Sequence, residues 1–264
     1  MTDSSKIQQQ ARPDYITLVQ ITDTHIMENP EQTFDGLDTL HSLKLVLKNI
    51  QEHEEFDAVL VTGDLVHDPV DNAYARLANQ LKQVAAPVYC IAGNHDDPSI
   101  MARNLNSGNL STSNLASFEH WQVCMLNTWK QGTHGGRLPR EELDFLDQTL
   151  SESSKHAMIV LHHPPVSIDS PWMDAMQLEN PGDLFAIVDR HKQVRLIIWG
   201  HIHQEFAGTY NKVQLLATPS TCIQFTPRAS QYSRDAKPPG YRRLMLHSTG
   251  KIETEIIRVN ISGN

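Results

Sequence analysis

In the first two-thirds of the chain, short unbroken apolar runs alternate with longer stretches where apolar residues recur every third or fourth position. The runs over residues 15–21, 58–61, 87–92, 121–127, 157–161 and 194–199 predict buried strands. Between them, Leu40, Leu43, Leu47 and Ile50 form one stripe of a helix over residues 37–55. Tyr74, Leu77, Leu81 and Val84 mark a second helix, which Asp71 is placed to cap. Leu143, Leu146 and Leu150 share a side of a third, begun by Pro139, whose missing N–H suits a first turn. Residues 183–191 read as a fourth helix. The polar stretch 103–117, rich in Asn and Ser, predicts an irregular loop or a short cap. Beyond residue 204 the pattern changes. Residues 205–210, 213–217, 241–247 and 252–259 read as strands, with turns at Asn211-Lys212 and Thr249-Gly250 and a long polar loop over 224–240.

This order predicts one α/β domain over residues 14–264, its last third mostly β, after a disordered tail over 1–13. No internal repeat or linker interrupts it. A chain of 264 residues at 39% hydrophobic can bury a core of that size. The net charge of −9 argues against a basic face that grips a nucleic-acid backbone. A small anionic substrate stays open, because bound dications can supply positive charge. Cys90, Cys124 and Cys222 are odd in number, far apart and set in or beside apolar segments, as expected of reduced, buried thiols in a cytoplasmic protein. The start, Met1-Thr2-Asp3-Ser4-Ser5, has no apolar segment of the kind a signal peptide needs. No apolar run approaches the roughly 18 residues of a membrane span, so no membrane partner is expected.

Five short strings then change the picture: Asp23-Thr24-His25, Gly63-Asp64, Gly93-Asn94-His95-Asp96, His162-His163-Pro164 and Gly200-His201-Ile202-His203. Each follows a predicted strand, and strand C-termini of an α/β fold gather at one edge. Asp23 and His25 can reach one metal from a single turn, and the two oxygens of Asp64 can bridge two ions. Asn94 offers an amide oxygen without adding charge, and His162, His201 and His203 add imidazoles. Mixed N/O ligation suits Mn, Fe, Zn, Co or Ni better than Mg or Ca. Two such ions about 3.5–4 Å apart can hold a hydroxide and phosphoryl oxygens for in-line displacement, with no Ser or Cys nucleophile. His95 is then the candidate to protonate the leaving alkoxide, and Asp96 the candidate to orient it. The pattern points to a two-metal hydrolase of phosphate esters.

Other residues of similar type read more blandly. His41, His53, His67, His120, His134, His156, His191 and His247 are expected to be packed or exposed bystanders, and His163 competes with its neighbour His162. Asp68 and Asp97 read as solvated turn residues, and Gly63 and Gly93 as permitting tight turns at the metal. Arg228, Arg234 and Lys237 read as a solvated loop or an oligomer contact, and Cys222 as a buried structural thiol.

The ordered set Asp-x-His, Gly-Asp, Gly-Asn-His-Asp, His and Gly-His-x-His resembles that of the calcineurin-like metallophosphoesterases over nearly the whole chain. The resemblance implies a four-layer α/β/β/α sandwich of two mixed β-sheets flanked by helices. It implies one ion on Asp23, His25, Asp64 and His203 and a second on Asp64, Asn94, His162 and His201, and its His-x-Pro spacing favours His162 over His163. Iron and manganese are the first expectation for the pair of divalent ions, with Zn, Co or Ni as alternatives. Dimers are common in the family, so a homodimer is one expected state. A narrower resemblance, to the bacterial 3′,5′-cyclic AMP phosphodiesterases of this family, rests on His162-His163-Pro164-Pro165, on Gly200-His201-Ile202-His203-Gln204, on residues 216–225 and on Pro238-Pro239-Gly240-Tyr241-Arg242. The stretch Thr218-Pro219-Ser220-Thr221-Cys222 has no metal chemistry and therefore separates subfamilies. That resemblance implies hydrolysis of cyclic AMP to 5′-AMP, with His25, Asp64, Asn94, His95 and His203 also touching the nucleotide phosphate. The alternatives are a broader metallophosphodiesterase acting on 2′,3′-cyclic nucleotides or glycerophosphodiesters, and a silent protein-binding scaffold. A scaffold would show lost ligands, whereas all seven and His95 are present.

Overall fold

A computed structural model of the protein describes residues 14–261. The tail expected over 1–13 and the last three residues of the expected domain lie outside the described residues. The chain runs β1 (Tyr15–Ile21), α1 (Thr39–His53), β2 (Ala58–Thr62), α2 (Asp71–Leu81), β3 (Val88–Ile91), α3 (Pro98–Asn104), β4 (Leu110–Ser111) and β5 (Leu115–Ser117). It continues through β6 (Trp121–Met125), α4 (Arg140–Ser151), β7 (His156–Val160), α5 (Pro171–Asp174), α6 (Pro181–Arg190) and β8 (Val194–Trp199). The β-rich end is β9 (Phe206–Tyr210), β10 (Val213–Ala217), β11 (Gln224–Phe225), β12 (Arg234–Asp235), β13 (Gly240–His247) and β14 (Ile252–Arg258).

Two six-stranded sheets result, in the orders β14-β13-β1-β2-β3-β4 and β5-β6-β7-β8-β10-β9. Both are mixed. In the first, β1 to β4 are parallel, β13 runs against them and the edge strand β14 runs against β13; in the second, β6, β7, β8 and β10 are parallel between antiparallel edge strands β5 and β9. Alternation along each strand divides its apolar residues between two layers. In β2, Val59 and Val61 face α1 and α2, while Ala58 and Leu60 face the other sheet. In β7, Ala157 and Ile159 join the layer of α4 and α6, while Met158 and Val160 join the inter-sheet layer. Strands covered on both faces must be apolar throughout, so the central strands read as unbroken runs. The expected α/β/β/α sandwich is what forms.

Several local expectations are corrected. Asp71 does not cap α2; Val70 holds the cap position, and the Asp71 carboxylate instead accepts from Arg103 Nε and Asn104 Nδ2 of α3, each at 2.8 Å. Asp97 is not a free turn residue. Its side chain caps α3 by accepting the N–H groups of Ser99 and Ile100, at 2.8 and 3.0 Å. Residues 103–117 are not irregular throughout: α3 closes at Asn104, β4 pairs with the edge of the first sheet and β5 with the edge of the second. Strands of two and three residues are too short to show a period of two in the sequence. Within the expected 224–240 loop, β11 and β12 pair with each other.

Candidate metal centre

All five strings leave parallel strands at the same end of the sandwich. Asp23 and His25 follow β1, Asp64 follows β2, Asn94 and His95 follow β3, His162 follows β7, and His201 and His203 follow β8. Backbone bonds lock neighbouring exits together: Asp23 N–H donates to Gly63 at 3.0 Å, His25 N–H to Asp64 at 2.9 Å, and Gly200 N–H to His162 at 3.2 Å. Asp23, His25, Asp64, His201 and His203 all hold positive φ, between 43° and 66°. Such a conformation is strained for these residue types and persists only where surrounding contacts over-determine it, which is common at functional sites. Gly63 (φ 94°) and Gly93 turn here as expected; a Cβ on either would overlap His162, or Asp64 and His162, respectively. Gly200 has the same role against Thr22 and Asp23, and the sequence reading did not single it out.

The side chains converge in a buried space. His203 Nε2 lies 3.4 Å from Asp23 Oδ1 and 3.2 Å from His25 Nε2, which is 3.6 Å from Asp64 Oδ2. His162 Nε2 is 3.3 Å from Asp64 Oδ1 and 4.0 Å from Asp23 Oδ1. The His201 ring stands edge-on to that of His162 with centroids 5.1 Å apart, and its backbone N–H donates to Asp23. Two imidazoles are anchored through their far nitrogens, His162 Nδ1 on the Thr62 carbonyl at 2.8 Å and His203 Nδ1 on the Ile223 carbonyl at 2.9 Å. That leaves Nε2 as the free donor, the arrangement metal-ligating histidines adopt.

Of the buried atoms without a hydrogen-bond partner among the described residues, three lie in this cluster: Asn94 Oδ1, His162 Nε2 and His201 Nε2. Leaving buried donors and acceptors unpaired is costly, and a cation would relieve that cost for oxygen and neutral nitrogen alike. The electrostatics agree. Burial holds His25 and His201 well below the usual histidine range, in the neutral form that binds metal. Burial also opposes protonation of His162 and His203, but the Asp64 and Asp23 carboxylates outweigh it, raising His162 to about 9 and His203 well above its usual value. Asp64 is held well below the carboxylate range despite its burial, chiefly by the His162 charge. Protons thus balance two buried carboxylates at the positions where divalent cations would do so. The donor set fits two such ions.

His163 lies in the same cluster but is committed elsewhere. Its Nδ1 is 2.7 Å from Thr128 Oγ1 and its Nε2 is 3.2 Å from the His134 carbonyl. His95 N–H donates to Asp64 Oδ1 at 2.9 Å, and its ring stands edge-on to His25 at 4.8 Å. Asp96 does not orient it. His95 Nδ1 donates to the His67 carbonyl at 2.9 Å, while the Asp96 carboxylate accepts from Gly93 N–H, Leu65 N–H and Tyr74 Oη at 2.8, 3.1 and 2.8 Å. Asp96 therefore joins the β2 and β3 exits to α2. Burial, with the nearby Asp64 charge, raises it to about 6.

Two presumed bystanders belong to the site. His67 stacks on His95 with centroids 5.0 Å apart, and His134 Nδ1 is 3.3 Å from Asn94 Nδ2. Phe34 packs on both His25 and His67 at 4.9 Å. The segment 218–225 proves to be a brace for Asp23 and His203: Ser220 Oγ donates to the Asp23 carbonyl at 2.8 Å, the Ile223 carbonyl holds His203, and Phe225 stacks on His203 at 4.1 Å and 11°. Cys222 is buried, and its sulfur lies near His25 and His203. Arg234 is not simply solvated, since it donates to the Asp35 carbonyl, while Tyr232 Oη donates to Asp35 Oδ2 at 2.9 Å. Arg228 and Lys237 line a cavity of about 390 Å³ that reaches Phe225 and His203, so the 224–240 loop does border the site.

Residues 16–205 match the family described as calcineurin-like phosphoesterase. The chain is 39% identical over 253 residues to the 3′,5′-cyclic adenosine monophosphate phosphodiesterase CpdA of Haemophilus influenzae, covering 95% of this chain and 92% of that one. It is 37% identical to the protein of the same name from Pseudomonas aeruginosa, over 93% and 90% of the two chains, and 34% identical to that of Escherichia coli, over 92% and 90%. Among solved structures, a dimetal phosphatase from Danio rerio superposes with a TM-score of 0.62 over 93% of this chain and 99% of that one, at 15% identity. At that identity the likeness shows the shared fold.

Proposed function

The chain belongs to the calcineurin-like phosphoesterase family, and from that premise we propose that it is a metal-dependent phosphodiesterase hydrolysing 3′,5′-cyclic AMP to 5′-AMP. The observation that carries this reading is the buried convergence of Asp23, Asp64, His25, His162 and His203, with Asn94 Oδ1 and His201 Nε2 left unpartnered beside them. Relatives that carry this activity in their names align over more than nine-tenths of the chain.

Asp23, His25, Asp64 and His203 would hold one divalent ion, and Asp64, Asn94, His162 and His201 the other. Bound there, the pair supplies positive charge for the phosphoryl oxygens and lowers the pKa of water from about 15.7 toward about 7. We read the pair as iron, manganese or both, since the donors mix nitrogen and oxygen; zinc, cobalt and nickel share that preference. His25, Asp64, Asn94, His95 and His203 are the groups we place against the substrate phosphate. The bond from phosphorus to O3′ breaks, and the alkoxide needs a proton. His95 Nδ1 is committed as a donor to the His67 carbonyl, so Nε2 delivers that proton. The attacking water leaves its oxygen on phosphorus and its proton restores His95. The Asp64 bond to His95 N–H keeps the acid in register with the ligands.

Ligands come from both sheets, so residues 14–264 work as one catalytic domain in this reading. The substrate is a small nucleotide, in keeping with the net charge of −9. The three buried thiols suit a reducing cytoplasm, and no helix among the described residues is long and apolar enough to cross a membrane. A homodimer, common in the family, is one assembly open to it. An assay of Mn²⁺-reconstituted protein on cyclic AMP, cyclic GMP, 2′,3′-cyclic AMP, bis-p-nitrophenyl phosphate and glycerophosphodiesters tests the substrate. The highest kcat/KM is expected on 3′,5′-cyclic AMP with 5′-AMP as product. A preference for 2′,3′-cyclic AMP or glycerophosphodiesters replaces the substrate assignment, and no turnover of any substrate overturns the enzyme reading.

A further inference from the structure

We propose that His134 is a positioning residue that fixes which end of the Asn94 carboxamide meets the metal, and that His163 holds it in place. The inference rests on Asn94 being a ligand of the second ion. A carboxamide has two faces related by a half-turn: one presents oxygen to a cation, the other an NH₂ group that repels it. Nothing in the covalent structure of asparagine chooses between them before a cation arrives, so only a neighbour can preset the oxygen-inward face. His134 Nδ1 lies 3.3 Å from Asn94 Nδ2, and Asn94 Oδ1 is buried with no partner. Nδ1 can accept from Nδ2–H but has nothing to offer Oδ1 when the proton is on Nε2. With the His134 proton on Nε2, which this proposal requires, the contact favours the oxygen-inward orientation.

His134 sits on the connection between β6 and α4, outside helix and strand, where backbone bonds hold Gly136 and Arg137 but not His134 itself. His163 supplies the hold. Its Nε2 faces the His134 carbonyl at 3.2 Å, and a carbonyl only accepts, so Nε2 carries the hydrogen. Its Nδ1 then accepts from Thr128 Oγ1 at 2.7 Å. Gly136 closes the loop over the ring, where any Cβ would overlap the imidazole. Both nitrogens of His163 are consumed by this task, and that explains physically why His162, not its neighbour, offers a free nitrogen to the metal. The sequence Thr128–His163–His134–Asn94 is a chain of contacts reaching from a buried hydroxyl to a ligand oxygen. Partners of this kind behind a ligand change metal affinity by about 10- to 100-fold when removed.

The test is a calorimetric titration of the metal-free proteins with Mn²⁺. Wild type is expected to bind two ions. His134→Ala should weaken one by about 10- to 100-fold, leave the other unchanged and leave the metal-free melting temperature unchanged, since His134 is exposed. His134→Gln, whose amide oxygen can accept from Asn94, should restore most of the loss. In an Asn94→Asp background the His134→Ala effect should disappear, because a carboxylate has oxygen at both ends and needs no orienting. A His134→Ala protein with wild-type affinity at both sites overturns the proposal, as does an equal loss in the Asn94→Asp background. Asn94→Ala distinguishes the two levels: if it still binds two ions as wild type does, the ligand reading fails and this proposal with it, whereas its loss of one ion beside an unaffected His134→Ala sinks the proposal alone.

Discussion

His95 differs from the groups around it in what its nitrogens face. The ligand candidates His162 and His203 hold Nδ1 on carbonyls and turn Nε2 toward carboxylates; His95 Nδ1 likewise sits on the His67 carbonyl, but its Nε2 pairs with no carboxylate among the described residues and only its backbone touches Asp64. That geometry suits proton delivery, not ligation. His95→Ala should therefore keep both ions and lose about 10²- to 10⁴-fold in kcat on cyclic AMP, whose leaving alkoxide needs a proton. On bis-p-nitrophenyl phosphate, whose leaving group departs unprotonated, the loss should be slight. Equal losses on the two substrates would remove His95 from the acid role. The ligand types were legible because Asp-x-His and His-x-His place donors two residues apart beyond a strand. His67, His134 and the true partner of His95 were not. Those contacts cross 28 and 40 residues of chain, and no local pattern encodes them. Asp96 misled for the same reason: adjacency suggested His95, yet its carboxylate bonds backbone groups 3 and 31 residues away.

Elements place these residues through their ends. The strand exits carry non-glycine residues at positive φ, and of the helices that follow, α1 and α3 have side-chain caps while α2 is tied to α3 instead. Asp71 at the start of α2 grips Arg103 and Asn104 at the end of α3, and the hydrogen bond from Arg103 holds its carboxyl at about 2. A carboxylate depressed in the folded state stabilises above its unfolded value of about 3.9 and loses that contribution as pH falls toward about 2. Asp71→Asn should thus lower the melting temperature slightly at pH 7, and the gap from wild type should close through pH 4 to 2. The pair is exposed, so added salt should shrink the gap too. A gap that persists at pH 2 would show that the carboxylate charge is not its source. Helices were legible from apolar stripes such as Leu43, Leu47 and Ile50, all buried in α1. Their caps were less so, because an acidic residue before a stripe can bond its own helix, as Asp38 and Asp97 do, or a neighbouring one, as Asp71 does.

Across the whole molecule, the site is a seam. Asp23, Asp64 and Asn94 leave one sheet, and His162, His201 and His203 leave the other. The buried Gln20 side chain spans the same seam, donating to Thr62 Oγ1 at 2.9 Å and to the Trp199 carbonyl at 3.1 Å. Ions bound between the sheets would bind the folded state alone, so chelation should lower the melting temperature and restored metal should raise it. At a hundredfold excess over Kd each ion adds about 2.7 kcal/mol. Identical melting curves with and without chelator, under conditions where metal content is shown to differ, would contradict a site that joins the sheets. The sequence by itself determined the alternation of strand and helix, the β-rich last third, the strand exits and the types of donor, because period and composition are local properties of a chain; the four-layer sandwich was an expectation of the family resemblance. Only the tertiary structure decided which histidines turn a free nitrogen inward, and that Asp96 serves the backbone and not His95. It also decided that 218–225 braces Asp23 and His203. Those outcomes depend on the far end of each side chain, which is settled by groups brought near only when the two sheets pack.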